Sequence, residues 1–466
     1  MVHTHIFKES IPGRKLRDDL CRRSRVHFNY SHEVIFMIHP KGVDELTQKL
    51  HDVSDPESQE YGKHLTRTEV VTMTANTVGR DAVVMYLQLN HATVVSQTLD
   101  GNYVTALATI EVWERTFDTE FFMFHQTHSN GYVKEVVRAE GYSIPKELSE
   151  HVKYVLKVVD IPFPVRRRSL SSSSMKRVDQ PSPKRSRPDK RNTESASESL
   201  LSLKRMVTPD KIRSYYNMTN YEGSEYSVQA VYASGGQNIS PLDLKLFQEE
   251  FSIVQDVIPI RGHANHTVCT VESLLCAESN LDIQYIMGIS PMSPTFHWYY
   301  PGDFADWLIE ISNTVDPPLV LSISYGSQEY RVTKAEHYAF DYEAIKLGVV
   351  GVSIFVAAGD DGANGSEAKY LGKINAVCAV LYCTVQPILC NIISFIYQFI
   401  HLLIYLLIYS FIDNLILKNI FLELLSYSIH IKCSYHSYFS YDDFILTCIV
   451  VHCLISSREK CIGKGI

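Results

Sequence analysis

The chain has 466 residues, of which 45% are hydrophobic, and its formal net charge is −8. This length leaves room for two or three domains, and the apolar content is enough for a packed core. A net negative charge argues against a chain that binds nucleic acid. Residues 1–30 are polar and basic and contain no apolar run, so no secretory signal peptide is visible in them.

The pattern from residue 26 onwards predicts an α+β domain, which we place at residues 1–164. Runs rich in β-branched and aromatic residues predict strands, and the segments between them have the apolar spacing of helices. The segment 65–70 is expected to open a helix with a threonine cap. The predicted strands are 33–39, 103–108 and 121–125, and the other predicted helices are 43–53, 110–117 and one that begins near residue 146.

Residues 165–205 are predicted to be a disordered linker. They contain three consecutive arginines at 166–168, a serine run at 171–174 and a basic stretch at 184–191, and they are poor in hydrophobic residues. Such a composition does not bury enough apolar surface to fold. Exposed basic sites suit proteolytic processing, although a basic cluster can also serve as a nuclear-import or anionic-surface patch.

Residues 206–374 predict part of an α/β domain with a parallel, doubly wound sheet. Buried strands are expected at 226–232, 317–326 and 351–363, and an amphipathic helix at 333–348 lies between the last two. Loops at the carboxyl ends of such strands usually form the functional site. Asp360, which lies in the Gly-Asp-Asp-Gly stretch 359–362, would put a carboxyl group there, but the same four residues also fit a plain turn.

A helix predicted over residues 276–287 carries Glu278 and Asp282 on one face, because they are four residues apart. Two carboxyl groups this close in a sheltered site tend to share one proton, and such a pair can act as a general base in acid. Pairs with this spacing are also common on solvated helix faces, where they have no such role. The apolar stripe expected to pack this helix is Leu281, Tyr285 and Ile286. Just before it, Cys269 and Cys276 could form a disulfide or remain free thiols.

The composition changes in residues 375–466, where an apolar tail with helical character is expected. Residues 388–412 contain no charged side chain and are long enough to span a bilayer, which predicts a transmembrane helix. The tail also has little amphipathic order, as translated non-coding sequence would. An error in the gene model and a membrane anchor therefore both remain open.

Three stretches together resemble the sedolisins, a family of serine-carboxyl peptidases with a subtilisin-like catalytic fold. They are the helix with Glu278 and Asp282, the Ser-Ile-Ser-Tyr-Gly stretch 322–326 and the Gly-Asp-Asp-Gly-Ala stretch 359–363. The loop 55–65 resembles the signature of the family's activation prodomain. The resemblance implies that Glu278 is the general base, that Asp282 shares its proton and that Asp360 stabilises the oxyanion. It also implies peptide or protein substrates and a prodomain that inhibits its own catalytic domain until it is cleaved off in acid.

Two parts of the family pattern are missing. The family nucleophile lies in a Gly-Thr-Ser motif, and this chain contains no Gly-Thr-Ser. The family uses calcium as a cofactor, and its site near the end of the catalytic domain has no counterpart, so no metal ligand is expected. Without a nucleophile no acyl-enzyme forms, and we expect the printed chain to be inactive.

Two functions therefore stay open. The first is the zymogen of an acid endopeptidase or tripeptidyl peptidase. The second is a membrane-anchored pseudoprotease, or a prodomain protein that binds or inhibits peptidases. The family resemblance implies a secreted or lysosomal location, although no signal peptide is visible, and the tail would imply a membrane location.

Overall fold

The structure is a computed structural model that describes residues 4–11, 19–127, 133–162, 207–218, 222–253, 260–261, 264–271, 273–302, 304–326 and 331–357. Three sequence predictions lie outside these residues: the linker at 165–205, the tail at 375–466 with its run at 388–412, and Asp360. We call residues 4–162 the first unit and residues 207–357 the second unit.

The first unit is an α+β arrangement of three antiparallel sheets. Its strands are β1 (His5–Ser10), β2 (Leu20–Arg25), β3 (Ser31–Ile38), β4 (Thr93–Gln97), β5 (Tyr103–Thr109), β6 (Phe121–Thr127), β7 (Val133–Ala139), β8 (Gly141–Pro145) and β9 (Val152–Leu156). Its helices are α1 (Val43–Ser54), α2 (Arg67–Thr74), α3 (Thr77–Leu89), α4 (Ile110–Phe117) and α5 (Lys146–Ser149). The sheets have the strand orders β4-β5-β3-β9, β2-β6-β7 and β1-β8.

Strand β3 is buried on both faces, which explains its continuous apolar run. Phe36 and its alternate neighbours pack into the core of the first unit together with Trp113 and Phe117. Ile35 and Met37 point the other way and pack against the second unit. A strand covered on both faces needs apolar residues at every position rather than at every second one.

Most of the elements predicted for this unit are present. Helix α2 begins with the predicted threonine cap: Thr66 accepts a hydrogen bond from the backbone N–H of Glu69, whose side chain accepts one from the backbone N–H of Thr66. The sequence did not predict β1, β2, β4, β7, β8, β9 or α3. In β1, β2 and β4 most residues are exposed and many are polar, which hides the pattern of a strand.

The second unit contains a parallel sheet, as the sequence predicted, and the described residues form five strands of it. Its strands are β10 (Gln229–Ala233), β11 (Ile260–Arg261), β12 (Thr295–Tyr299), β13 (Val320–Ile323) and β14 (Ser353–Val356), in the order β11-β12-β10-β13-β14. The sequence did not predict β11 and β12. Its helices are α6 (Pro209–Tyr215), α7 (Pro241–Glu250), α8 (His266–Val271), α9 (Ala277–Ile289), α10 (Phe304–Ser312) and α11 (Lys334–Val349).

Helices cover both faces of this sheet. Along the central strand β10, Val231 packs with residues of α7 and α9 on one face. Ala230 and Tyr232 pack with residues of α10 and α11 on the other face. The alternation of side chains along a strand produces this division, and it makes the sheet doubly wound.

The first unit packs on α10 and α11, along a contact that we call the seam. The backbone N–H of Leu65 donates to the carbonyl of Val349 at 2.8 Å, and the side chain of Asn102 donates to the Tyr342 hydroxyl, also at 2.8 Å. Helix α11 was predicted to be amphipathic from the spacing of its apolar residues. The structure adds that the first unit covers this helix, so that Glu343 and Lys346 are buried as well.

Candidate active site

Helix α9 brings the two predicted carboxyl groups to the carboxyl edge of the sheet. Glu278 lies in its first turn and Asp282 one turn later. The side chains that anchor the helix differ from the predicted stripe: Ile283 and Met287 are buried against β10 and α7, whereas Leu281 and Tyr285 are only partly buried. Ile283 and Met287 lie on the side of the helix opposite Leu281 and Tyr285, so the predicted stripe is not the side of α9 that packs on the sheet.

The environment of Asp282 favours its neutral form. Burial and, next, the nearby carboxyl group of Glu278 raise the pKa of Asp282 well above its ordinary value. One of its oxygens, Oδ2, is buried and has no hydrogen-bond partner among the described residues. The two carboxyl groups thus form a coupled pair in which Asp282 retains a proton at a pH where an exposed aspartate is ionised.

Two residues that follow β13, Ser324 and Tyr325, also surround the carboxyl pair. The sequence singled out the stretch 322–326 that contains them but assigned no role to either residue. The Ser324 hydroxyl donates a hydrogen bond to Oδ1 of Asp282 at 2.9 Å. Burial, followed by the charges of Glu278 and Asp282, raises the pKa of Tyr325 well above its ordinary value. A signal was available, since small and polar residues directly follow a buried parallel strand at the edge where sites form.

The third predicted site residue, Asp360, lies outside the described residues. Strand β14 pairs with β13 in parallel, and the last described residue, Ala357, donates its backbone N–H to the carbonyl of Ile323 at 2.9 Å. Residue 357 therefore lies next to the end of β13, which Ser324 directly follows. The position of Asp360 relative to the carboxyl pair stays a prediction.

The start of α9 is held by covalent and polar contacts. Cys269 and Cys276 form a disulfide, which decides between the two alternatives that the sequence left open. The Ser279 hydroxyl lies 3.1 Å from Nε2 of His297, and both residues are buried. Burial lowers the pKa of His297 to about 4, so its imidazole is neutral in weak acid. These contacts fix the turn of helix that carries Glu278.

Another serine, histidine and aspartate lie together but do not form a catalytic triad. The Ser240 hydroxyl is 2.8 Å from Nδ1 of His266, and Asp243 approaches the same nitrogen at 3.8 Å. A triad requires the serine and the carboxylate on opposite ring nitrogens. Ser240 is also buried and caps α7 by accepting from the backbone N–H of Asp243. This group is structural.

Two further findings concern the part of the chain that the structure describes. No group of three or more histidine, cysteine or acidic side chains there could hold a metal ion, so we derive no step that uses calcium. No helix within these residues is long and apolar enough to cross a membrane. The run at 388–412, which carried the transmembrane prediction, is not among them.

Comparisons with known proteins identify related peptidases and a matching family model. A family model described as "Pro-kumamolisin, activation domain" matches residues 19–161. Tripeptidyl-peptidase 1 of Dictyostelium discoideum is 26% identical over 361 residues, which cover 72% of this chain and 58% of that protein. Physarolisin of Physarum polycephalum is 27% identical over 350 residues, which cover 71% of this chain and 54% of that protein. The chain thus spans a little over half the length of these relatives.

Among solved structures, the chain is similar to Pseudomonas sedolisin, described as a serine-carboxyl proteinase and complexed with two molecules of pseudo-iodotyrostatin. The sequence identity is 15%, the TM-score is 0.29, and the match covers 35% of this chain and 46% of that one. A score this low carries no argument about the fold.

Proposed function

Because this chain belongs to the sedolisin family and carries that family's activation domain, we propose that it is the zymogen part of an acid serine-carboxyl peptidase. In this proposal Glu278 is the general base, Asp282 shares its proton and Asp360 stabilises the oxyanion. The single observation that supports it most is the coupled, sheltered carboxyl pair on α9.

The chemistry follows from the environment of that pair. A general base must take a proton from a nucleophile near the working pH, and a carboxylate coupled to a second carboxyl group can do so in acid. Asp282 would hold a proton next to Glu278, and the hydrogen bond from Ser324 would keep its carboxyl group oriented. Substrates would be peptides or proteins, and the first unit would be the intramolecular inhibitor.

The nucleophile is not assigned. The printed chain contains no Gly-Thr-Ser, and we infer that it does not hydrolyse peptides in this form. The chain spans a little over half of the relatives that it matches, so peptidase activity belongs to a protein that also supplies this serine. A disulfide at Cys269 and Cys276 supports passage through an oxidising, secretory compartment.

The test starts from the transcript across the codons for residues 372–379. If it continues into an in-frame Gly-Thr-Ser motif, that longer protein should cleave quenched peptides at about pH 4 and be nearly inactive at neutral pH. The printed chain should show no cleavage. The variant Glu278→Gln should lose at least about 100-fold in kcat/KM.

The matched control is Glu310→Gln on α10, whose side chain is 43% exposed and lies 3.8 Å from Arg261, and it should keep full activity. Full activity in Glu278→Gln would refute the assigned base. If all transcripts keep the tail and the chain stays inactive, the remaining candidate is a protein that binds or inhibits peptidases through its first unit.

A further inference from the structure

Three asparagines of the second unit begin an Asn-X-Ser/Thr sequence, the acceptor pattern for N-linked glycosylation. They are Asn217, Asn238 and Asn265. The pattern often occurs by chance, so the sequence does not say which of them is used. A glycan is bulky and stays in water, and the folded protein can carry one only where the asparagine lies at the surface.

Asn238 does not fit a glycan. The residue is only 9% exposed, and its Nδ2, the atom that would carry the sugar, donates to the carbonyl of Gly236 at 3.0 Å. Its backbone N–H donates to the carbonyl of Leu275 at 2.7 Å. The hydroxyl residue of this acceptor sequence, Ser240, is buried and caps α7. A sugar on Nδ2 would break the contact with Gly236 and would need space that the fold does not leave.

Asn265 has the opposite environment. Both Asn265 and Thr267, the hydroxyl residue of its acceptor sequence, are exposed. The Oδ1 of Asn265 accepts from the backbone N–H groups of Thr267 at 3.0 Å and Val268 at 3.3 Å. Its Nδ2 has no hydrogen-bond partner among the described residues. A sugar on Nδ2 leaves the amide oxygen in place, so the turn at the start of α8 survives the modification.

The chain around Asn265 is held in place by three contacts. The backbone N–H of Asn265 donates to the carbonyl of Ile239 at 3.1 Å. Nδ1 of His266, the next residue, lies 2.8 Å from the Ser240 hydroxyl. Cys269 on α8 is joined by its disulfide to the residue that precedes α9. These contacts keep the asparagine in one position, with its side chain exposed.

A glycan at Asn265 also leaves the seam undisturbed. The contact between His266 and Ser240 places the start of α8 against the start of α7. Helix α7 covers the face of the sheet on which Val231 lies, whereas the first unit packs on α10 and α11 at the other face. The site is therefore compatible with two docked units.

We propose that Asn265 carries an N-linked oligosaccharide after the chain has passed through an oxidising secretory compartment, and that Asn238 stays unmodified in the folded protein. The disulfide between Cys269 and Cys276, which lies next to the site, requires the same compartment. Asn217 has no part in this assignment, because residue 219 of its acceptor sequence lies outside the described residues. The site does not depend on whether the protein hydrolyses peptides.

The modification is a glycosyl transfer. Its donor is an oligosaccharide joined through a diphosphate to a membrane lipid, and a transferase of the compartment catalyses the step. A bond forms between Nδ2 of Asn265 and the anomeric carbon of the first sugar, while the bond from that carbon to the diphosphate oxygen breaks. The lipid diphosphate leaves with the electron pair of the broken bond, and Nδ2 loses one proton. The transferase selects this asparagine through the Thr267 hydroxyl.

The experiment measures which asparagines carry a glycan. The full chain is expressed in insect cells behind a cleavable secretion signal, extracted in mild detergent without reductant, and separated from aggregates by chromatography. Glycans are then removed enzymatically in water labelled with heavy oxygen, which converts each glycosylated asparagine to a labelled aspartate. Mass spectrometry of the unreduced chymotryptic digest gives the occupancy of each site.

The disulfide supplies an internal check. Chymotrypsin cuts after large apolar residues, so the peptide that contains Asn265 also contains Cys269 and stays linked to the peptide with Cys276. Its occupancy is measured in this linked form alone. Every molecule counted has therefore reached the oxidising compartment and formed the disulfide.

Asn265 should be occupied in most of the linked peptide, and Asn238 in almost none of the protein that is free of aggregates. Two matched variants test the acceptor. Thr267→Ala removes the hydroxyl but keeps Asn265 and the backbone N–H groups to which it is bonded, so occupancy should be lost. Thr267→Ser keeps a hydroxyl and should keep the glycan. Asn265→Asp keeps an oxygen acceptor for the turn and should also abolish the glycan.

Three results would overturn the assignment. The first is a wild-type peptide that carries the disulfide but no glycan at Asn265. The second is a label at this position that persists in Thr267→Ala. The third is protein free of aggregates with a glycan on Asn238, because the burial of this residue would then not exclude modification. None of them bears on the peptidase assay, so the glycan site and the proposed function can fail independently.

Discussion

Among the residues that the structure describes, Lys346 is the only cation that pairs with the buried carboxyl groups of Asp100 and Glu343. Its replacement is therefore a direct test of the contacts that hold the seam. Its amino group lies 2.7 Å from Asp100 and 3.0 Å from Glu343, and the residue is 8% exposed. In Lys346→Met the side chain keeps a similar length but loses its charge. Two carboxyl groups then remain buried without a counter-charge.

Removing one partner of a buried ion pair costs about 3–5 kcal/mol of stability. A cavity of about 30 Å³ beside Lys346, Asp100 and Arg67 has room for roughly one water molecule, which can solvate a carboxylate left behind. We therefore expect the free energy of unfolding to fall by about 3 kcal/mol at pH 7.5. At pH 5 the loss should be about half as large, because a proton can replace the missing cation.

The sign of this pH effect follows from Glu343. Burial already raises its pKa, and the attraction of Lys346 opposes the rise. Without Lys346 the pKa of Glu343 rises further in the native state, so the variant gains stability relative to wild type as pH falls. Urea unfolding followed by circular dichroism at both pH values gives the two differences.

The control is Lys245→Met on α7, whose side chain is 70% exposed and forms a 3.8 Å pair with Glu249. It should change stability by less than about 0.5 kcal/mol. The double variant Glu343→Gln with Lys346→Met should recover part of the loss at pH 7.5. A loss below about 1 kcal/mol in Lys346→Met, or one that is equal at both pH values, would refute a buried carboxyl pair at the seam.

Two other predictions concern the contacts that hold α9. Replacing Cys269 and Cys276 together by serine opens a loop that spans seven positions, and it should lower the free energy of unfolding by about 2–3 kcal/mol. Added reductant should then have no further effect on the stability of this variant. Because burial lowers the pKa of His297 to about 4, the unfolded chain binds this proton first as pH falls. Stability should therefore decline by up to about 3 kcal/mol from pH 6.5 to pH 4. His297→Gln keeps a partner for Ser279, and an unfolding profile in this range as steep as that of wild type would contradict the assignment.

Much of the fold can be predicted from short stretches of the sequence. The threonine cap of α2, the apolar run of β3 and the strands on either side of α11 follow from capping chemistry and from the period of apolar residues. These signals depend only on neighbours in the chain. The carboxyl pair on α9 was found in the same way, because helical spacing alone puts Glu278 and Asp282 on one side.

Other features depend on which elements meet in space. The amphipathic pattern of α11 does not show that the first unit covers this helix and buries Glu343 and Lys346. The hydrogen bond from Ser324 to Asp282 joins residues 42 positions apart, and the meeting of Glu9 with the start of α11 joins residues 325 positions apart. The spacing of apolar residues along the chain does not indicate which distant residues will meet in the folded structure.

The sequence by itself determined those elements that have a clear apolar or capping pattern, the parallel sheet and the pair of carboxyl groups, because these arise from local spacing and composition. The tertiary structure decided how those carboxyl groups behave. Burial and a neighbouring charge raise the pKa of Asp282 and of Glu9. The charge next to Asp282 is that of Glu278 on the same helix, but the elements that bury Asp282, and the Asp160 charge that acts on Glu9, come from distant parts of the chain.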